Sequence, residues 1–438
     1  MRRLKQRPMR DQSRDNQIER AIARAFNNGG RYSRRAFLRR AGRGAVVAGG
    51  ALTLPSILAA CGIRPGASGS AAPSAAGMVG GGDTAGNLVF ANWPLYIDQD
   101  EETGESPTLQ QFTEATEIEV DYQEAIQDNQ EFFGTIQPAL SAGQDTAWDM
   151  IVPTDWMVGK MIGLGYLEQF DVAASVPNFV ANAADKYKNP SYDADNLHSV
   201  PWQSGITGIA YNPELTGREL TSFADLLDPE FEGKIGMFSE VRDALSLALL
   251  HNGVQPKDAT EEEVRAAAAV LEEQAPLVRG YYGNEYAQEL ANGSLAATMA
   301  WSGDVFQLQF DNPDLRFIVP EAGGILWIDN LTIPKEAKHP NDALAFMDFV
   351  FQPEIAAQIT EYVNYICPVP AAQEIIRAHA QEATDEGDQE TTDYLTSVAD
   401  SELVFPSDEM LSNLHSYKVL SEEEEALWNE LYQEITQG

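Results

Sequence analysis

The residues best equipped for chemistry in this chain are tryptophans and tyrosines standing beside carboxylates. Trp93 and Tyr96 follow the apolar run NLVFA, and Trp156 follows DMIVP with Asp155 beside it. Trp301 and Asp304 form WSGD after AATMA, Trp327 and Asp329 form WID just before LTIP, and Glu240 and Asp243 flank the end of KIGMF. An aromatic ring attracts an ammonium through its quadrupole at about 0.5 to 2 kcal/mol per contact, while a carboxylate fixes the same group by charge-assisted hydrogen bonds. The pairing suits an organic cation. It also suits a sugar, whose apolar face stacks on tryptophan and whose hydroxyls need acceptors, but a surplus of acids without matching arginine leans toward the cation. Core packing competes with either reading for any single tryptophan, and the recurrence of acids beside the rings tilts the balance.

Enzymatic chemistry fares worse. The histidines, His198, His251, His339, His379 and His415, are scattered, with no pair at metal-ligand spacing. No G-x-S-x-G, P-loop or H-E-x-x-H occurs. Asp304 and Asp329 could in principle serve glycoside hydrolysis, yet with 64 acids after Cys61 some plausible pair is almost guaranteed. The expectation is a binding protein with no metal, no cofactor and no catalytic residue.

Positioning such side chains requires strand ends that face one crevice. From Asn87 onward short apolar runs alternate with helical periodicity, which argues for an α/β architecture. In open α/β sheets the carboxyl ends of the strands line the ligand crevice, and the aromatic-acid pairs fall at such ends. Strands are expected at 208–212, 234–238, 296–301, 316–320 and 331–334, and a helix over 108–117. Thr260 with Glu263 and Ser421 with Glu424 read as capping boxes, and Asn341 after Pro340 as a further cap.

Charge divides the chain in two. Residues 1–60 hold 14 Lys and Arg against 3 Asp and Glu, leaving 15 and 64 for the rest, a net charge of -49. Such acidity excludes a nucleic-acid binder, which needs a clustered basic face. At 44% hydrophobic over its whole length the chain can bury a core, and the length of the acidic part suits about two domains at ~150 residues each. The basic start contains SRRAFLR, in which Arg34-Arg35 then Phe37-Leu38 look like a twin-arginine export signal. A 17-residue uncharged stretch then ends at Leu58-Ala59-Ala60-Cys61, which resembles a lipobox with Cys61 as the lipidated residue. The stretch is short and weakly apolar for a membrane span. Residues 61–86 are Gly, Ala, Ser and Pro with little charge, the composition of a flexible tether. The other cysteine, Cys367, would be a buried free thiol after processing.

The blocks NLVFANWPLY (87–96), WDMIVPTDWMVGKMIGLGYLEQFD (148–171), SFADLLDPEFEGKIGMF (222–238), MAWSGDVFQLQ (299–309) and 318–356 stand in an order that resembles the spermidine/putrescine-binding family. These are the extracellular solute-binding proteins of polyamine ABC importers. The resemblance implies a two-lobed type II periplasmic-binding-protein fold with a hinge and an interlobe ligand cleft. It places the signal in 1–60, the tether in 61–86, lobe one in 87–207 plus 329–373, and lobe two in 208–328 plus 374–438. It implies a ligand site of Trp93, Tyr96, Thr154, Trp156, Glu240, Asp243, Trp301, Asp304, Trp327, Asp329 and Tyr365, with Tyr417 by a weaker match. It further implies a polyamine ligand, a membrane permease as partner, a monomer, and an exported, lipid-anchored location in the periplasm or on the outer face of the cytoplasmic membrane. One departure stands out: Pro94-Leu95 occupies a place where family members often carry a polar or acidic residue. A remote ammonium would lose a partner there, at a cost of about 1 to 3 kcal/mol if nothing replaced it. The alternatives left open are another small organic cation or a sugar, and, in a different class, a lipid-anchored glycan hydrolase.

Overall fold

The computed structural model describes residues 78–437 apart from 101 and 102. Arg34, Arg35 and Cys61 lie outside the described residues. The expected tether reaches residue 86, yet the chain is already paired from β1 (Met78–Val79), which runs parallel to β5 (Gln169–Phe170). The Asp342 carboxylate fixes the next stretch by accepting the Ala85 and Asn87 amides at 2.8 and 2.9 Å. Backbone donors that enter no ladder need partners, and here a buried acid supplies them.

The first parallel unit comprises β2 (Asn87–Ala91), α1 (Pro107–Thr116), β3 (Glu119–Gln123), α2 (Asn129–Ser141), β4 (Met150–Ile151) and α3 (Asp155–Gly163). Ser106 caps α1 by accepting from the Leu109 amide, and Glu117 ends it in a left-handed turn at φ 61°. Then comes β6 (Ser199–Tyr211), a strand buried along its whole length. The second parallel unit is β7 (Ile235–Phe238), α4 (Val241–His251), α5 (Glu261–Gln274), β8 (Val278–Tyr282), β9 (Ala297–Trp301) and α6 (Ser302–Asp311), followed by the short β10 (Arg316–Ile318). The chain returns on β11 (Gly324–Thr332) and finishes with α7 (Pro340–Val350), α8 (Pro353–Val363), α9 (Ala372–Glu386), α10 (Gln389–Asp400), β12 (Leu414–His415) and α11 (Glu422–Gln437).

The main sheet has the order β3-β2-β4-β11-β6-β9-β7-β8. Its flanks are parallel and carry helices, as crossover connections require, while β6 and β11 run antiparallel through the middle. These two strands tie the lobes together: β4 and β2 extend one side, β9 and β7 the other. The protein is therefore a two-lobed α/β molecule with the paired strands as its hinge. Pro201 lies opposite Asn330, where the β6–β11 register shifts between Asp329 and Asn330. A bulge tolerates a proline that cannot donate to the ladder.

Three expectations are corrected. The strand expected at 208–212 begins at Ser199, because Pro201, Gln203 and Gly205 hide its apolar pattern. The strand expected at 331–334 spans 324–332, since Trp327, Asp329 and Asn330 break the run. Asn341 does not cap α7: Pro340 takes the first helical position, His339 the cap position, and the Asn341 amide donates to Asp83 O at 3.2 Å. Both capping boxes form as expected.

Phe90, Phe112, Trp202 and Phe346 build an aromatic cluster beneath the first lobe, with ring centres 5.1 to 6.4 Å apart. Cys367 is buried, and burial pushes its thiol up to about 11. The α9–α10 pair packs on α8, and the Tyr394 ring touches Phe310 of α6, so 374–400 leans on both lobes rather than on the second alone. Helix α11 packs on α4 and α5 in the second lobe. Among the described residues no helix is long and apolar enough to cross a membrane.

Candidate functional site

Alternate residues of β6 build the floor of the cleft. Gln203 stands opposite Asp329, Gly205 opposite Trp327, and Thr207 opposite Trp301 of β9. Directly opposed residues of an antiparallel pair share a face, so these side chains look the same way. Gly205 is required here, since a Cβ would lie 2.2 Å from Cζ2 of Trp327. The walls come from helices that start at strand ends. Thr154 takes the cap position of α3 with its hydroxyl turned to Asp329 and not to the helix, Asp243 sits in the first turn of α4, and Asp304 in the first turn of α6. Each of these N-termini carries positive partial charge, which holds a carboxylate in place.

Three carboxylates are gripped by hydroxyls. Asp329 accepts from Tyr96 at 3.0 Å and from Thr154 at 2.6 Å. Thr154 is bracketed in turn by Asn129, whose amide donates to its hydroxyl at 2.8 Å and accepts its backbone N–H at 3.1 Å. Asp243 accepts from Thr207 at 2.5 Å and Tyr417 at 2.6 Å, with the Trp301 side chain as a further partner. Asp304 accepts from Tyr286 and Tyr365, both at 2.7 Å, and Tyr286 also takes the Trp301 amide at 3.0 Å. The Tyr96 and Tyr365 rings meet edge to face at 5.5 Å, so the tyrosine that holds Asp329 packs on one that holds Asp304. Tyr365 in turn lies flat on Gly303, where a Cβ would come within 2.7 Å of its ring. The glycine of WSGD is thus a packing requirement.

Burial pushes the Asp329 carboxyl up to about 7 and the Asp243 carboxyl up to about 6, against the lowering effect of their hydroxyl donors. Burial raises the hydroxyls of Tyr96, Tyr286, Tyr365 and Tyr417 far above their ordinary value, so they stay donors. Among the described residues no Lys, Arg or His ion-pairs with Asp243 or Asp329. Desolvated acids without a cation are costly unless one arrives from outside.

A second acidic group stands differently. Asp155 is pushed up to about 8 by burial and by nearby Asp329, and Glu240 to about 8 by burial and by Asp128 and Asp243. Arg242 serves this group. Its guanidinium lies 4.2 Å over the Trp156 ring, its Nη1 donates to Lys418 O at 3.1 Å, and Glu240, Glu425 and Asp155 favour its charge against the burial that opposes it. Lys160 of the first lobe meets Glu425 of the second at 2.8 Å, and Gln130 donates to the same oxygen at 3.0 Å. Glu240 itself caps α4 by accepting the Arg242 amide.

The structure thus gathers Tyr96, Thr154, Asp243, Trp301, Asp304, Trp327, Asp329 and Tyr365 around one cleft, with Tyr417 joining through Asp243. Trp93 stands at its edge, tied by its indole N–H to Val152 O at 2.9 Å. Trp156 and Glu240 are present but engaged with Arg242. The Pro94-Leu95 turn is exposed, with Leu95 at φ 58°, and an acid does reach it: Glu124 accepts the Leu95 amide at 2.8 Å. Sequence reasoning missed Thr207, Gln203, Tyr286, Asn129 and Arg242. The position of Gln203 and Thr207, alternating across Gly205 on a strand, was the signal available for two of them.

Similarity to known proteins fits this geometry. Residues 108–386 match the model of the family described as bacterial extracellular solute-binding protein. The chain is 29% identical over 295 residues to the spermidine/putrescine-binding periplasmic protein of Escherichia coli (strain K12), covering 67% of this chain and 81% of that one. It is 26% identical over 368 residues to the putrescine-binding periplasmic protein SpuD of Pseudomonas aeruginosa, covering 79% and 90%. Among solved structures, a putative spermidine/putrescine ABC transporter from Listeria monocytogenes superposes with a TM-score of 0.68 at 28% identity, covering 80% of this chain and 99% of that one.

Proposed function

The chain belongs to the bacterial extracellular solute-binding protein family, and from that premise we propose that it captures a polyamine of the putrescine or spermidine type for an ABC importer. The lobes close over the amine, and the closed form is what a membrane permease receives. The observation that carries the reading is the set Asp243, Asp304 and Asp329, buried among aromatic rings and held by hydroxyls. A carboxylate so placed is stabilised by an ammonium donor, and the aromatic faces of Trp301 and Trp327 accommodate the methylene chain. Asp329 stands opposite Gln203 and Asp243 is held by Thr207, positions four residues apart on β6, ~13 Å of strand, so these two acids are spaced along the strand and not gathered at one point. A linear polycation fits a line better than a compact cation does.

Calorimetry with putrescine, spermidine, glycine betaine and an oligosaccharide tests the reading. A stoichiometric polyamine isotherm is the expected result, and binding of the oligosaccharide alone overturns it. The sugar belongs in the panel because Trp327 Nε1 is a buried donor with no partner among the described residues. Turnover of the oligosaccharide instead of stoichiometric binding would place the protein among hydrolases. Export by the Arg34-Arg35 signal, acylation at Cys61 and a monomeric state complete the proposal. Labelled fatty acid should enter the wild type and not Cys61→Ser.

A further inference from the structure

One stripe of the first lobe's α3 faces the second lobe. Trp156, Gly159 and Lys160 fall at i, i+3 and i+4 on that helix, which puts them on one side of it. The Arg242 guanidinium covers the Trp156 ring, a Cβ on Gly159 would lie 3.5 Å from the Val419 methyls, and Lys160 pairs with Glu425. Arg242 is the deeply buried member of this seam, 2% exposed, and it stands in the first turn of α4, where a helix N-terminus disfavours a cation. Its Nη1 donates to Lys418 O, while its Nε is buried with no hydrogen-bond partner among the described residues. The surrounding acids favour its charge without fixing its plane, and the ring from the other lobe is what orients it.

We propose that Arg242 is a positioning residue that sets the Asp243 carboxylate when the lobes meet and so governs how long a bound amine stays. This rests on the polyamine reading. Two rungs join neighbouring residues of α4 to neighbouring residues of the C-terminal segment: Arg242 holds the Lys418 carbonyl at 3.1 Å, and Tyr417 donates to Asp243 at 2.6 Å. With the guanidinium stacked on Trp156 the first rung is fixed, and it sets the backbone from which the Tyr417 hydroxyl reaches Asp243. On the other side of the seam Trp156 stands two residues after Thr154, whose hydroxyl holds Asp329 at 2.6 Å. The Arg242–Trp156 contact is therefore a bridge between the segments that hold Asp243 and Asp329. In separated lobes the ring is withdrawn, and Asp243 keeps its charge but loses a fixed donor. Capture of the amine is then insensitive to Arg242, whereas release requires the bridge to break.

The test is a kinetic cycle, with putrescine association and dissociation followed by stopped-flow fluorescence at physiological salt. Arg242→Met should raise the dissociation rate about tenfold and leave the association rate within about twofold of wild type. Trp156→Leu removes the ring from the other lobe and leaves the buried charge in place. It should act on the two rates in the same way, and it carries the test if Arg242→Met fails to fold. Combining either variant with Tyr417→Phe should add less than about twofold to the larger single effect, because both changes act on the same donor to Asp243. Arg242→Lys, which keeps the charge without the planar fork, should release putrescine as fast as Arg242→Met. Full recovery by Arg242→Lys, effects that multiply in the double variants, or a change confined to the association rate overturns the inference and leaves polyamine binding standing. Failure of the wild type to bind putrescine or spermidine overturns the polyamine reading itself.

Discussion

Two sets of acids face the interlobe cleft, and they differ in what neutralises them. Asp155, Glu240 and Glu425 have cations of their own in Arg242 and Lys160, drawn from both lobes. Asp243 and Asp329 are held by neutral donors, the hydroxyls of Tyr96, Thr154, Thr207 and Tyr417 with the Trp301 side chain, and Asp304 accepts from Tyr286 and Tyr365. A hydroxyl orients a carboxylate without cancelling its charge. The first set ties residues of the two lobes to each other, and in the function proposed above the second set receives its counter-charge from the ligand. Proximity to the cleft is a poor guide to ligand contact, and the nature of the local counter-ion is a better one.

The sharpest way to break that contrast is to neutralise one acid from each set. Asp329→Asn should weaken polyamine binding by about 100-fold, in line with removing one partner of a buried charge pair. Asp155→Asn should change affinity by less than about fivefold while altering the melting temperature. Comparable losses in calorimetry would erase the distinction.

Next in size comes the pH response. Burial pushes Asp329 and Asp243 up to about 7 and about 6, above an ordinary carboxyl near 4. A raised carboxyl favours the closed ligand-free form below about pH 4, and that contribution is lost as pH climbs through about 7. Bound ammonium requires the ionised acids, so binding must expel protons at lower pH. Affinity should fall by several tenfold between pH 8 and pH 5, with proton release visible as a buffer-dependent heat. A flat profile would mean that the acids are already ionised before the ligand arrives.

Removing a hydroxyl tests the grip itself. Tyr417→Phe, which strips one donor from Asp243, should cost about tenfold in affinity, as a hydrogen bond to a charged group does. The smallest effect belongs to the other set: Glu425→Gln should weaken binding about threefold, since the Lys160–Glu425 pair is partly exposed and screened. The change should be in the dissociation rate, measured by stopped flow, and a loss as large as that of Tyr417→Phe would give the Lys160–Glu425 pair a place in the site.

Much of the site could be read from the chain because its aromatic and acidic residues end strands or open helices, and those positions leave local marks such as WSGD and WID. What could not be read came from partners far away in sequence. Tyr286 reaches Asp304 from the helix before β9, and Asn129 braces Thr154 from α2, with no spacing that pairs them. Arg242 looked like an ordinary first-turn residue, and only the folded cleft shows it lying over Trp156. The alternating strands and both capping boxes were legible for the same local reason. The full length of β6 was not, because Pro201, Gln203 and Gly205 serve a bulge, the cleft and the Trp327 ring rather than a uniform core.

The earliest described residues carry a mechanical consequence. Met78–Val79 is stitched to β5, and Asp342 clamps the two amides that follow, all within the first lobe. Any pull exerted through the chain upstream of residue 78 is borne by that lobe alone. The second lobe meets that load through β6 and β11, the strands that join it to the first.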